Sequence, residues 1–93
     1  TGPPVMRPLF FDFDGDKTAW ETEDEYMFGP DILVAPVMEE KVTQRSVYLP
    51  AGATWTDANT GEVYEGGQRV IVPAPLDIIP VFFRDGKKYD IYQ

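Results

Sequence analysis

Carboxylates crowd the stretch Asp12-Phe13-Asp14-Gly15-Asp16-Lys17-Thr18-Ala19-Trp20-Glu21-Thr22-Glu23-Asp24-Glu25. Two chemistries use such spacing. Asp12, Asp14 and Asp16 fall at the first, third and fifth positions of the oxygen-ligand pattern that holds calcium, and Glu23 falls at its twelfth. The same order, an apolar strand and then Asp-x-Asp-Gly, also suits phosphoryl transfer. There one carboxylate attacks phosphorus, a second protonates the leaving group, and magnesium neutralises the phosphate oxygens. Each pattern breaks at one residue. Lys17 stands where a calcium loop needs the glycine of its sharp turn, and Asp16 stands where the phosphoryl-transfer motif carries Thr or Val. A solvated acidic turn that shields a sheet edge from further pairing is the simpler account.

A second constellation is aromatic. Trp55, within Gly-Ala-Thr-Trp-Thr-Asp-Ala-Asn-Thr-Gly, together with Tyr48 and Tyr64, supplies ring faces that pack on the C–H faces of a sugar, while Asp57 and Asn59 offer partners to its hydroxyls. The competing account is that a Trp between two turns closes one end of a small core. Other chemistries are excluded outright. The chain has no His and no Cys, which removes imidazole catalysis, thiolates and His- or Cys-ligated metals. No cofactor is expected. A net charge of −8 argues against nucleic acid and anionic membrane, and nothing resembles a span of about 20 apolar residues or a secretory signal.

The elements that must position these groups are short. Ninety-three residues allow one domain with a thin core, which six Phe, five Tyr and two Trp help to fill. Gly and Pro punctuate the chain at intervals of about ten residues, the cadence of short antiparallel strands. The expected fold is all-β, an antiparallel β-sandwich with one short helical turn. Strands are expected near Val5–Phe13, Ile32–Val37, Arg45–Leu49, Thr54–Asp57, Glu62–Tyr64, Arg69–Val72 and Pro80–Phe83, with Lys88–Ile91 as a further candidate. Turns are expected at Ala51-Gly52, Asn59-Thr60-Gly61, Gly66-Gly67 and Asp85-Gly86. The continuous apolar run Ile32-Leu33-Val34 reads as a central strand covered on both faces. Val47 and Leu49 should point inward and leave Tyr48 at least half exposed. Pro8 and Pro36, unable to donate to a ladder, belong at an edge or a strand end. The helical turn is expected over Thr22–Phe28, capped by Thr22 and ended by Gly29.

Whole segments of the chain carry two resemblances. Asp12 to Asp16 resembles the opening motif of the haloacid dehalogenase-like phosphatases, which implies Asp12 as the nucleophile on phosphorus and Asp14 as the acid for the leaving group. That chemistry, however, requires a parallel α/β sheet with later Ser/Thr, Lys and paired Asp motifs, and the rest of this chain has little helix. The wider resemblance covers nearly the full length. Gly2–Phe13 (GPPVMRPLFFDF), Tyr26–Val37 (YMFGPDILVAPV), Val47–Gly67 (VYLPAGATWTDANTGEVYEGG) and Ala74–Gly86 (APLDIIPVFFRDG) are similar, in order, to the region beyond the catalytic barrel of glycoside hydrolase family 31, the α-glucosidases and α-xylosidases. Phe11, Phe13 and Asp16 match that family's Phe-x-Phe-Pro…Asp pattern. Asp14 departs from it, standing where Pro is common.

The resemblance implies a module that carries no catalytic group. Retaining hydrolysis of an α-glycoside needs a nucleophilic carboxylate and an acid/base carboxylate about 5 Å apart. In that family both lie on loops of a barrel of about 250 residues. Neither motif occurs here, so no catalytic residue is expected in this chain. Residues 1–13 are expected to form the junction with the barrel and the first strand, and 14–93 the β-sandwich. The implied partners are the barrel and, through the parent enzyme, an oligosaccharide. Arg7 is the expected ion-pair partner at the junction, with Asp77 or Arg84 orienting loops towards the barrel. An isolated piece would expose its former interface and self-associate. Beyond Gly86 the family continues with an apolar run, whereas this chain reads Lys87-Lys88-Tyr89-Asp90-Ile91-Tyr92-Gln93.

Overall fold

The computed structural model describes residues 6–37, 43–75 and 78–85. Two antiparallel sheets face one another. The larger takes strands β1 (Met6–Pro8), β2 (Tyr26–Phe28), β3 (Ile32–Val34), β5 (Thr54–Asp57), β6 (Val63–Glu65) and β8 (Val81–Arg84), in the order β1-β2-β3-β8-β5-β6. The smaller pairs β4 (Gln44–Leu49) with β7 (Gln68–Pro73) over six residues. A 3-10 turn (Leu9–Phe11) and a short helix α1 (Lys17–Glu21) connect β1 to β2. No helix among the described residues is long and apolar enough to cross a membrane.

The apolar pattern explains the layering. Leu33 on β3 and Phe82 on β8 are register partners and turn to the inner face. There they meet Met27 and Trp55 from the same sheet and Val47, Leu49 and Val72 from the smaller one. Ile32 and Phe83, also partners, turn to the opposite face and cluster with Val81. The run Ile32-Leu33-Val34 therefore sits inside the sheet and packs on both sides, as its composition predicts. Pro8 ends β1, the edge strand, and Pro36 follows β3, so neither interrupts a ladder.

The structure differs from the sequence reading in the helix and in strand ends, the expected strand Ile32–Val37 stopping at Val34. The helix begins at Lys17, not Thr22. Asp16 caps it by accepting from the amides of Thr18 and Ala19, a stronger N-cap than Thr provides, and Thr22 lies at its C-terminal end. Tyr26–Phe28 is consequently free to pair with both β1 and β3, so what was expected as helix is strand β2, and Gly29 (φ 72°) belongs to the β2–β3 turn. The expected strand over Val5–Phe13 is likewise cut short at Pro8 by the 3-10 turn. Lys88–Ile91 lies outside the described residues.

The chain crosses between sheets at one corner, where Pro50–Ala53 links β4 to β5 and Gly66-Gly67 links β6 to β7. Gly66 has no room for a side chain, because a Cβ there would lie 2.0 Å from the Pro50 carbonyl oxygen and 2.7 Å from that of Ala53. Gly67 (φ 83°) donates its amide to the Leu49 carbonyl. This geometry yields a contrast in stability. Leu33→Ala should cost about 2–5 kcal/mol in urea unfolding through the cavity it leaves, whereas Ile71→Ala, at a position 69% exposed, should change stability by about 0.5 kcal/mol or less.

Candidate functional site

The acidic stretch does not converge on a point. Asp12 pairs with Arg7 on β1, Nη2 to Oδ1 at 3.0 Å. Asp14 and Glu23 are exposed, and Asp14 contributes its backbone carbonyl to the Trp20 indole N–H at 2.7 Å. No group of three or more acidic side chains among the described residues is placed to hold a metal ion. Of the four carboxylates in the calcium pattern, Asp12 and Asp16 are committed to protein partners, while Asp14 and Glu23 turn to solvent. The phosphatase reading fails on architecture, since every strand pairing among the described residues is antiparallel and Asp12 is held by the Arg7 guanidinium.

Asp16 is the junction of the structure. Its Oδ1 accepts from the amides of Thr18 and Ala19 at 3.0 and 3.3 Å, capping α1. Its Oδ2 accepts from the Tyr48 hydroxyl at 2.6 Å and the Ala51 amide at 2.9 Å, reaching the smaller sheet and the crossing corner. Burial pushes this carboxyl up, but the Tyr48 hydroxyl and the three amides outweigh it and hold its pKa below the ordinary value. The stabilisation from Asp16 is thus present above its unfolded pKa and lost as pH falls through the lower folded one.

Glu25 makes the second bridge. Only 1% exposed, it accepts from the Tyr48 amide at 2.6 Å, while its Oε2 meets no partner among the described residues. Burial raises its pKa to about 7, against the pull of the Tyr48 amide and the positive charges of Arg45 and Arg69. Arg45 fastens the same seam, donating to the carbonyls of Pro36, Ser46 and Asp24 and lying 3.4 Å from the Asp24 carboxylate.

Tyr48 is therefore not half exposed but 6% exposed, because its amide, hydroxyl and ring are each occupied: by Glu25, by Asp16, and by the Arg69 guanidinium 5.8 Å from the ring centre. Burial, and then the bond to Asp16, raise its phenol to about 12. Trp55 is fully buried and donates its indole N–H to the Pro50 carbonyl at 3.0 Å. Tyr64 is register partner to Trp55, packs edge-on against Phe82, and donates to the Glu62 carboxylate at 2.7 Å. The three rings lie on both sheets with two of them inside the core, so they present no common face to a sugar. Asp57 is buried as well, accepting from the Asn59 and Thr60 amides to set the β5–β6 turn. Arg84 packs its guanidinium 4.8 Å from the Phe13 ring centre, and Asp77 lies outside the described residues.

Two open surface depressions lie among the described residues. One of about 380 Å³ is lined by Phe13, Gly15, Asp16, Lys17, Ala51 and Gly52. Another of about 410 Å³ is lined by Gly52, Ala53, Thr54, Glu65, Gly66 and Asp85, where the Asp85 carboxylate already accepts the Thr54 amide. Asp12, Asp16, Glu25 and Asp57 thus do architectural work. Residues 2–87 match the model of the glycosyl hydrolase family 31 C-terminal domain. The chain belongs to family 31. It is 44% identical over 86 residues to alpha-glucosidase 2 of Bacillus thermoamyloliquefaciens, covering 92% of this chain and 11% of that protein. It is 44% identical over 85 residues to the alpha-xylosidase of Saccharolobus solfataricus, covering 91% and 12%. The crystal structure of a family 31 alpha-xylosidase from a soil metagenome superposes with a TM-score of 0.86 at 57% identity, covering 90% of this chain and 12% of that one. The chain spans about an eighth or less of the length of these family 31 relatives.

The family pattern marks the position of Asp16 but not its cap and bridge, and the burial of Glu25 comes only with the tertiary fold. The raised pKa of Glu25 has a measurable consequence. The folded state holds the proton more tightly than the unfolded chain, so the contribution is complete below about pH 4.5 and is lost as pH rises through about 7. The loss is on the order of 3 kcal/mol. Urea unfolding midpoints should therefore fall between pH 5 and pH 8 in the wild type. Glu25→Gln should flatten that fall, and an unchanged profile in the variant would assign the fall to other groups.

Proposed function

We propose that this chain is the non-catalytic C-terminal module of a retaining α-glycosidase, and that it braces the catalytic region of that enzyme. One observation carries the reading: nearly the whole chain matches a domain that makes up about a tenth of much longer glycosidases, and it retains that domain's fold. The site geometry agrees. A retaining mechanism needs two free carboxylates about 5 Å apart across a bound sugar. Here the buried carboxylates Glu25 and Asp57 are spent on a seam and a turn. The whole enzyme would remove terminal α-linked glucose or xylose through a covalent glycosyl intermediate formed on its barrel, without a cofactor. Residues 1–13 would join barrel to sandwich.

The test compares the full-length polypeptide with the 93-residue chain on aryl α-glucosides and aryl α-xylosides. The full-length protein should turn over one of them with retention of configuration, and the 93-residue chain should turn over neither. Excising the module should lower the thermal inactivation temperature of the remaining enzyme or prevent its folding. Hydrolysis by the short chain alone would overturn the proposal.

A further inference from the structure

Three aromatic rings stand on the surface in a single stack. Phe10 lies between Phe11, at 5.4 Å between ring centres and 19° between planes, and Trp20, at 4.4 Å and 13°. The outer rings remain largely open, Phe11 at 62% and Trp20 at 55% exposure. None of the three rings belongs to either core cluster. The stack is also held ready. The Asp16 cap fixes α1, and the Trp20 indole N–H is bound to the Asp14 carbonyl, which anchors the ring and satisfies its one polar group. Ordered aromatic surface of this kind is what an interface presents before its partner arrives.

We propose that the Phe10, Phe11 and Trp20 face is the surface on which this module seats against the catalytic region preceding it in the same polypeptide. This rests on the bracing role proposed above and assigns the contact to a place in the fold. The matched domain is a C-terminal one, and most of a relative's length lies outside it. The stack sits on the 3-10 turn and helix that directly follow β1, the first described strand and therefore the element closest in the chain to that preceding region. A partner offering aliphatic side chains fits this face. A sugar fits it less well, because the Phe rings carry no hydrogen-bonding group and the indole N–H is already spent on Asp14.

Hydroxyl-radical footprinting of the full-length polypeptide, read by mass spectrometry, tests the assignment with an internal standard, since Trp55 is fully buried. If the face is covered, Trp20 should be oxidised at a rate within about twofold of Trp55, at every protein concentration and without added sugar. Oxidation of Trp20 about tenfold faster than Trp55 would overturn the proposal. So would protection appearing only at high concentration, which would mean a second copy, or only with maltooligosaccharide, which would mean a sugar site. Excision of the module separates this from the bracing reading. If the remaining enzyme keeps its activity and thermal stability, bracing itself fails. If excision is damaging while Trp20 reacts freely in the intact protein, only the face assigned here fails.

Discussion

The closure of the two sheets depends on carboxylates that reach Tyr48 from outside its own strand pair. Asp16 takes its hydroxyl and Glu25 takes its amide, and both acids come from the connection between β1 and β2. A two-stranded sheet is marginal by itself and needs to pack on something. Here the packing is apolar across Val47, Leu49 and Val72, and the polar seam fixes the position at which that packing occurs. Asp16 satisfies four donors with two oxygens, so α1, the smaller sheet and the crossing corner are positioned together by one side chain.

This use of acidic residues bears directly on function. A strongly acidic small domain offers many candidates for acid/base or metal chemistry, but a carboxylate already accepting hydrogen bonds inside the fold has little freedom to act on a substrate. Glu25 illustrates the point. Its pKa of about 7 would suit a general base, yet it is sealed between the sheets with no opening to a ligand. A perturbed pKa outside a cleft marks a structural seam here. The membership of the chain in family 31 is consistent with this, because the matched domain is a small share of each longer glycosidase.

Much of the fold could be read from the residues. Thr54–Asp57 is a strand as expected, and the strands around Arg45, Arg69 and Pro80 differ from expectation only by a residue or so at an end. Gly52, Gly61 and Gly67 all adopt the positive φ that the expected turns demand. The failures share a cause, which is tertiary partnership. Tyr26–Phe28 looked helical because Thr22 could cap a turn that Gly29 would end, but Asp16 is the better cap and β1 and β3 offer ladders on both sides. Tyr48 looked half exposed because alternation along β4 says nothing about an acid arriving from a distant loop. Trp55 was legible both as a platform and as a core residue, and its register opposite Tyr64 and Arg84 puts it in the core.

The central claim is that the sheets are held in register by Asp16 and Glu25 at Tyr48 and Ala51. Native-state hydrogen exchange of the Tyr48 and Ala51 amides tests it most directly. Both should exchange only through global unfolding, with the same free energy as the amide of Leu33 in the central strand. Exchange of either at the rate of the exposed Gly52 amide would show that the seam opens on its own, and would contradict this account.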